Sequence, residues 1–425
     1  MNESSPSQQS PAFLTLAVCL ITSLILLINV SFKIINLQGL VFAANSLICP
    51  IIGGLYLLIL RHCTFKEQRH LLNISLMTLY LFCIGVYILV NMPAAEYMNN
   101  NPVYQIIFDD IPKKFFATTI AFALSFYLPH LLFCTHTEQV LNSPRHCILL
   151  ALLGGMGFFF IDFFLLFSSQ HVHSFKQTFV DSLLINAVLL LLIGVSYLTF
   201  ILGDSPLKRS AARYSASFPL YHYLVCFAVA VMLMCVACEY RIVALGRDNV
   251  ISASSLFFPI TLLISTLIGE VWGYKAHLKL VLVLILTQVV FDTLLMGLVA
   301  LPSPRFFNLN PFYNYIMPRR LPAASLALLV TFISNAMLLR YLNYVELEFF
   351  RPLRIFIANT VANSLLCLVN YSLLFGGIYP YEQIVNLAVN VWEYKLLITI
   401  LSLPLLIWLC KTLSKNNEMV LEMNT

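Results

Sequence analysis

The chain has 425 residues, 60% hydrophobic and only 10% charged, with a mean hydropathy of +0.87 and a formal net charge of +5. Soluble domains carry roughly one-quarter charged residues, so this composition leaves no room for a soluble catalytic domain and requires a polytopic membrane protein. The small positive excess is what basic loops on one side of a bilayer need and gives no argument for nucleic acid.

Residues 1–11, MNESSPSQQSP, form a polar tail without Lys or Arg, so the apolar run that follows lacks the cationic start of a signal peptide and reads as a retained helix. Apolar runs then fall at 12–32, 39–60, 71–92, 115–134, 147–168, 178–202, 218–238, 248–269, 280–300, 321–340, 354–375 and 383–410. Each is close to the twenty or so residues that cross a bilayer as a helix. Between the sixth and seventh lies GDSPLKRSAARYSAS, residues 203–217, a polar and basic stretch suited to a cytoplasmic linker, and 411–425 reads as a C-terminal tail. The expected fold is an all-α integral membrane protein with twelve transmembrane helices. They form two parallel six-helix repeats, 12–202 and 218–410. An even number of helices per repeat returns the chain to its starting side. With the N-terminus inside, fourteen Lys and Arg fall inside and nine outside, which puts both termini in the cytoplasm.

The repeat is visible directly. A shift of 209 residues lays 41–66 on 250–275 with nine identities in twenty-six positions, among them Pro50 on Pro259 and Lys66 on Lys275. Composition alone would match roughly one position in ten and would not match Pro or Lys. The same shift aligns Asn101-Pro102-Val103-Tyr104 with Asn310-Pro311-Phe312-Tyr313 and Pro93 with Pro302, and a shift of 208 sets Asp162 on Asn370.

Inside spans, proline frees a backbone carbonyl and ionisable side chains cost several kcal/mol unless they face a polar interior, so both mark candidate sites. Pro50 and Pro259 are expected to interrupt or bend their helices at equivalent depths, either for packing or to frame a transport site. Asp162, Asp292, Glu393 and Lys395 are the ionisable candidates; Glu393 and Lys395, two residues apart, must face different ways. Glu270 and Arg61 fall where their helices meet the cytoplasmic face. Thr266, Ser334, Asn335, Asn359, Asn363 and Asn370 supply neutral hydrogen-bonding groups, for a ligand or simply to join helices. Cys235 and Cys238 form a CxxC without further ligands and read as packing residues, and His130, His171 and His173 give no metal spacing. No HExxH, GxSxG or P-loop occurs, so the chain is read as neither an enzyme nor an ATPase, with no cofactor and no metal.

The segment LFFPITLLISTLIGEVWGYK, together with LPAASLALLVTFISNAMLL, IANTVANSLLCLVNYSLLFGGIYP and VNVWEYKLLITILSLPLLIWL, resembles the queuosine precursor transporter family, also called the vitamin uptake transporter family. The resemblance covers about 220–415 and reaches 20–202 through the repeat. It implies a tandem duplication of a six-helix unit that imports precursors of a modified tRNA base, in a bacterial inner membrane. Pro259, Glu270, Gly273, Lys275 and Lys395 match the family pattern, as do Pro50, Lys66 and Asp162 in the first half. The chain departs from it at Thr266 and Leu57, where relatives carry Asp, at Asn335 and Pro129 for Gln, at Asn370 for Asp and at Ala187 for Lys. No half keeps the whole polar set, so either the halves divide the work or the substrate differs. The substrate-binding candidates are therefore Asp162, Asn335, Asn370, Thr266, Lys395, Glu270 and Arg61. The expected partners are a small-molecule substrate such as queuine, preQ0 or preQ1, membrane lipid, and either an ATPase module or a second copy of the chain. The alternative to a carrier is a substrate-binding or scaffold subunit serving a separate ATPase.

Overall fold

The computed structural model describes residues 12–95, 111–134, 144–168, 175–203, 218–245, 249–304, 310–344 and 350–422. The polar tail 1–11, linker residues 204–217, the motif at 101–104, His171 and His173 lie outside the described residues. Twelve helical segments among the described residues are long and apolar enough to span a bilayer, as the hydrophobic runs require.

Helix α1 (Ala12–Val30) leads into a hairpin of β1 (Ile34–Leu37) and β2 (Leu40–Ala43), then α2 (Asn45–His62) and α3 (Phe65–Asn91). Helix α4 (Ile111–Phe122) passes through a π-helical turn, Ala123–Tyr127, into α5 (Leu128–Cys134), and these together make the fourth span. Helices α6 (Pro144–Phe167) and α7 (Phe175–Gly203) complete the first half. The second half has the same order: α8 (Phe218–Ala237), β3 (Ile242–Ala244), β4 (Val250–Ser252), α9 (Ser254–Trp272), α10 (Tyr274–Ala300), α11 (Asn310–Tyr344), α12 (Arg351–Phe375) and α13 (Tyr381–Glu422).

The two hairpins are additions to the all-α plan. Strands β1 and β2 pair antiparallel from Ile34↔Ala43 to Leu37↔Leu40, closed by Gln38 and Gly39 at φ 50° and 92°. Positive φ at both central residues is what a tight hairpin demands, and glycine supplies the second without strain. Residues 40–43 are apolar and merge with the helical run behind them, which is why hydropathy alone starts that helix too early.

The expected interruption at the prolines needs correction. Helices α2 and α9 run unbroken through Pro50 and Pro259. Each proline is the sixth residue of its helix, so it removes one bond, to the carbonyl of Ser46 or Ser255, close to an end where the ladder is already incomplete.

The chain divides into two compact units. Unit 1 holds Met1–Cys83, Ile107–Tyr214 and Leu295–Pro311, and unit 2 holds Ile84–Ile106, Ser215–Leu294 and Phe312–Thr425. Each unit thus includes a helix end contributed by the other half of the sequence. Within unit 1, Lys33 Nζ donates to the carbonyls of Val299 (2.6 Å) and Leu301 (3.1 Å), and Asn36 N donates to Pro302 O at 2.8 Å. Within unit 2, Arg241 Nη2 donates to Val90 O (2.5 Å) and Met92 O (2.8 Å), and Ala244 N donates to Pro93 O at 2.9 Å. The last carbonyls of a helix have no internal partner, and a cation there satisfies both their lone pairs and the helix dipole. Lys33 and Arg241 are 208 residues apart and Val90 and Val299 are 209 apart, the same shifts that align the two halves.

Small residues bring the helices of unit 1 together. A Cβ on Gly155 would stand 2.8 Å from Leu190 Cδ2, and one on Gly53 would stand 3.3 Å from the Gly155 Cα, so α2, α6 and α7 approach as closely as glycine allows. In unit 2, Leu267, Leu339, Ile355, Ala358, Leu406 and Cys410 form one buried cluster that joins α9, α11, α12 and α13.

Replacing Arg241 or Lys33 by Met should destabilise the protein by about 2–3 kcal/mol each, because carbonyls at a buried helix end lose a charged donor. Thermal unfolding in detergent measures this, and unchanged midpoints for both variants would show that these carbonyls find other donors.

Candidate functional site

Unit 2 encloses a cavity where the end of α8 and the start of α9 face α11, α12 and α13. The hairpin fixes its rim: Ala253 N donates to Arg241 O at 2.7 Å, so α9 begins directly beside the turn that follows α8. That turn carries Glu239, which is buried and lines the cavity together with Asn370 of α12, Lys395 of α13, and Ser254 and Phe258 of α9.

The polar groups are only partly satisfied. Asn370 Nδ2 donates to Glu239 Oε1 at 2.6 Å, which leaves Glu239 Oε2 and Asn370 Oδ1 buried with no hydrogen-bond partner among the described residues. Lys395 is 2% exposed and makes no ion pair among the described residues; its Nζ sits 4.8 Å from the centroid of the Phe258 ring. A cation over an aromatic face gains part of what desolvation removes. Tyr371, also on the wall, is tied to Ser255 Oγ through its hydroxyl at 2.8 Å. Burial pushes the Glu239 carboxyl up to about 7, against the pull of the Asn370 hydrogen bond and of Arg320, with Asp292 adding to the rise and Lys395 opposing it. The cavity, about 30 Å³, has room for about two waters, so a larger ligand enters only as the lining side chains move.

Buried polar residues continue along the same helices. Asn363 Nδ2 donates to Thr399 Oγ1 at 3.3 Å. Farther on, Thr266 Oγ1 and Asn335 Nδ2 both donate to Asn359 Oδ1, at 2.7 and 2.8 Å. Beyond them Glu270 accepts from Arg351 Nε at 2.9 Å and Arg354 Nη2 at 2.6 Å. From Phe258 to Gly269 the α9 axis rises about 16 Å at 1.5 Å per residue, so this ladder runs along roughly three turns of helix.

The sequence candidates therefore separate. Asn370 and Lys395 line the cavity; Thr266 and Asn335 meet in the three-residue cluster deeper along the helices; Glu270 is ion-paired near the end of α9. Asp162 belongs to unit 1, where Asn45 Nδ2 (3.2 Å) and Thr118 Oγ1 (3.1 Å) each occupy one of its oxygens. Arg61, also in unit 1, donates to the Tyr197 hydroxyl at 3.2 Å and lies against that ring. Asp292 pairs with Arg320, and Glu393 is exposed while Lys395 is buried, as their two-residue spacing requires. Pro259 follows Phe258 at the cavity wall without breaking α9, and Pro50 stands at the matching place in α2. His130 stacks on Phe65 at 5.2 Å as a core residue.

Sequence reading missed Glu239. It falls one residue past the apolar run 218–238 and so escaped a search confined to spans. The signal that finds it is an acidic residue in the short turn between two membrane helices, where apolar neighbours on both sides force it into the interior.

Residues 252–409 match the model of a protein family described as "Putative vitamin uptake transporter". No curated protein and no solved structure matches the chain. The matched stretch runs from the start of α9 into α13 and includes Asn370, Lys395 and the polar ladder, whereas Glu239 precedes it. The chain is a multi-pass membrane protein whose residues 252–409 are similar to the putative vitamin uptake transporter family.

Proposed function

We propose that the chain is a carrier that imports a small nucleobase-like or vitamin-like nutrient across a bacterial inner membrane by alternating access, with both termini cytoplasmic and recognition seated in unit 2. The observation that carries this reading is the convergence on one cavity of two buried oxygens without a hydrogen-bond partner among the described residues, Glu239 Oε2 and Asn370 Oδ1, and of the Lys395 ammonium, which makes no ion pair among them. Buried groups of this kind are costly unless a partner arrives. A flat nitrogen heterocycle meets all three. Its N–H groups donate to Glu239 and Asn370, a carbonyl or ring nitrogen accepts from Lys395, and the ring face covers Phe258. Queuosine precursors such as queuine, preQ0 and preQ1 have this guanine-like edge, and they are the substrate we favour.

The halves, on this reading, are a duplication that has divided its work. In unit 1 the Asp162 oxygens are already occupied by Asn45 and Thr118, and Ala187 stands where Lys395 stands in the second copy. Unit 1 then serves as scaffold while unit 2 binds. The Thr266–Asn335–Asn359 cluster and the Leu267–Leu339–Ile355 packing beside it close the path between the cavity and the far end of the unit. Opening that cluster while the cavity rim closes is the rocking step. Because neither half keeps the family's whole polar set, a substrate-binding subunit driven by a separate ATPase module is the second reading. Uptake by the purified chain alone in vesicles distinguishes the two.

The direct test is uptake of labelled queuine by cells that lack other routes. Glu239→Gln combined with Lys395→Met should reduce uptake at least tenfold while expression is kept, and normal uptake by that variant would remove the cavity from the mechanism. Glu239 also sets a pH dependence. Its folded carboxyl holds a proton more tightly than the unfolded chain does, so the empty protein loses stability as pH rises from about 4.5 through about 7. Over the same window the carboxylate forms and ligand affinity rises. Thermal midpoints and ligand binding measured from pH 5 to 8 should both flatten in Glu239→Gln; identical profiles in wild type and variant would contradict this.

A further inference from the structure

A second cavity of unit 2, about 470 Å³, opens between the C-terminal end of α9 and the neighbouring ends of α11 and α12. Arg340, Arg351 and Arg354 line it, with Glu270 the one carboxylate among the described lining residues. Glu270 Oε2 receives both Arg351 Nε and Arg354 Nη2, and Arg354 Nη1 donates to Asn343 Oδ1 at 2.6 Å, which fixes two guanidinium planes. Among the described lining residues one carboxylate offsets one of three cations, which leaves an excess of about two positive charges there. Arg354 Nε is buried with no hydrogen-bond partner among the described residues, and Arg340, which makes no ion pair among them, has its guanidinium carbon 4.6 Å from the centroid of the Tyr274 ring. His277, also on the wall, has its Nε2 engaged by Ser265 Oγ at 2.7 Å and adds no further charge requirement.

We propose that this vestibule is a phosphate-binding site, taking a phosphate ester carried by a lipid headgroup or by a soluble compound. A phosphate monoester bears a charge of about −1.5 to −2 near neutral pH, which balances the residual two cations, and its oxygens match the planar donor fork of arginine. Glu270 is then a positioning residue that holds Arg351 and Arg354 at the rim with their remaining N–H groups available. Occupancy of the vestibule would favour the arrangement in which the ends of α9, α11 and α12 stand as they do here. The site is separated from the inner cavity by the Thr266 cluster, so the assignment stands whatever the inner cavity binds.

The test uses the purified full chain in detergent and reads the thermal unfolding midpoint at constant ionic strength. Inorganic phosphate is titrated in one arm; in the other, micelles are doped with phosphatidic acid or, as a control, with phosphatidylcholine. A rise with inorganic phosphate supports the site and assigns a soluble source, and a rise with phosphatidic acid alone supports it and assigns a headgroup. Arg340→Gln leaves the Glu270 pairs intact and should weaken the effective affinity about tenfold, as should Arg351→Gln. Midpoints that respond to neither phosphate nor phosphatidic acid, or a response undiminished in Arg340→Gln, would overturn the proposal.

Discussion

One hydrogen bond, from Asn370 Nδ2 to Glu239 Oε1 at 2.6 Å, sets the character of the unit 2 cavity. It anchors a carboxylate that has been carried past the end of a membrane helix into the protein interior, and it engages only one oxygen. Were Lys395 to close an ion pair with the other, the cavity would be an internally satisfied buried pair of the kind that often serves structure alone. Instead Lys395 rests over Phe258, and acceptor and donor remain presented to the same small space. Charges held apart in a low-dielectric interior are expensive, and membrane proteins keep them where a ligand or ion must be met.

The same requirement, that every buried polar group find a partner, organises the rest of the molecule. Lys33 and Arg241 satisfy the open carbonyls at the ends of α10 and α3, and in doing so each links a hairpin to a helix end drawn from the other half of the sequence. The hairpins in turn decide where α2 and α9 begin. Asp162 shows the contrasting solution: a fully buried carboxylate whose two oxygens are taken by Asn45 and Thr118. At the Asp162 carboxylate, then, both oxygens are engaged from within the protein, while at Glu239 one of the two is left without a donor among the described residues.

Much of this was legible in the residues. Twelve spans followed from hydropathy because a bilayer imposes a minimum helix length, and the expectation of a repeat rests on prolines and lysines that apolar bias does not align. That Lys395 and Asn370 would stand at a polar spot in the interior was legible because polar side chains deep in apolar runs are costly unless they face one another or a cavity. The hairpins were not, since four apolar residues of strand look like the first turn of the helix that follows. Nor was the continuity of α2 and α9 through Pro50 and Pro259, which depends on how near the helix start each proline lies. Glu239 was hidden for a related reason: its burial is set by a turn and not by a run of hydrophobic neighbours in sequence. The grouping of Thr266 with Asn335 and Asn359 required three helices to be placed side by side.

The most direct measurement is equilibrium binding of labelled queuine to the purified full chain in lipid nanodiscs, wild type against Lys395→Met. Saturable binding by the wild type and at least a tenfold loss in the variant are expected, because the ligand's acceptor loses the one charged donor among the described lining residues. Saturable binding of equal strength by both would contradict this.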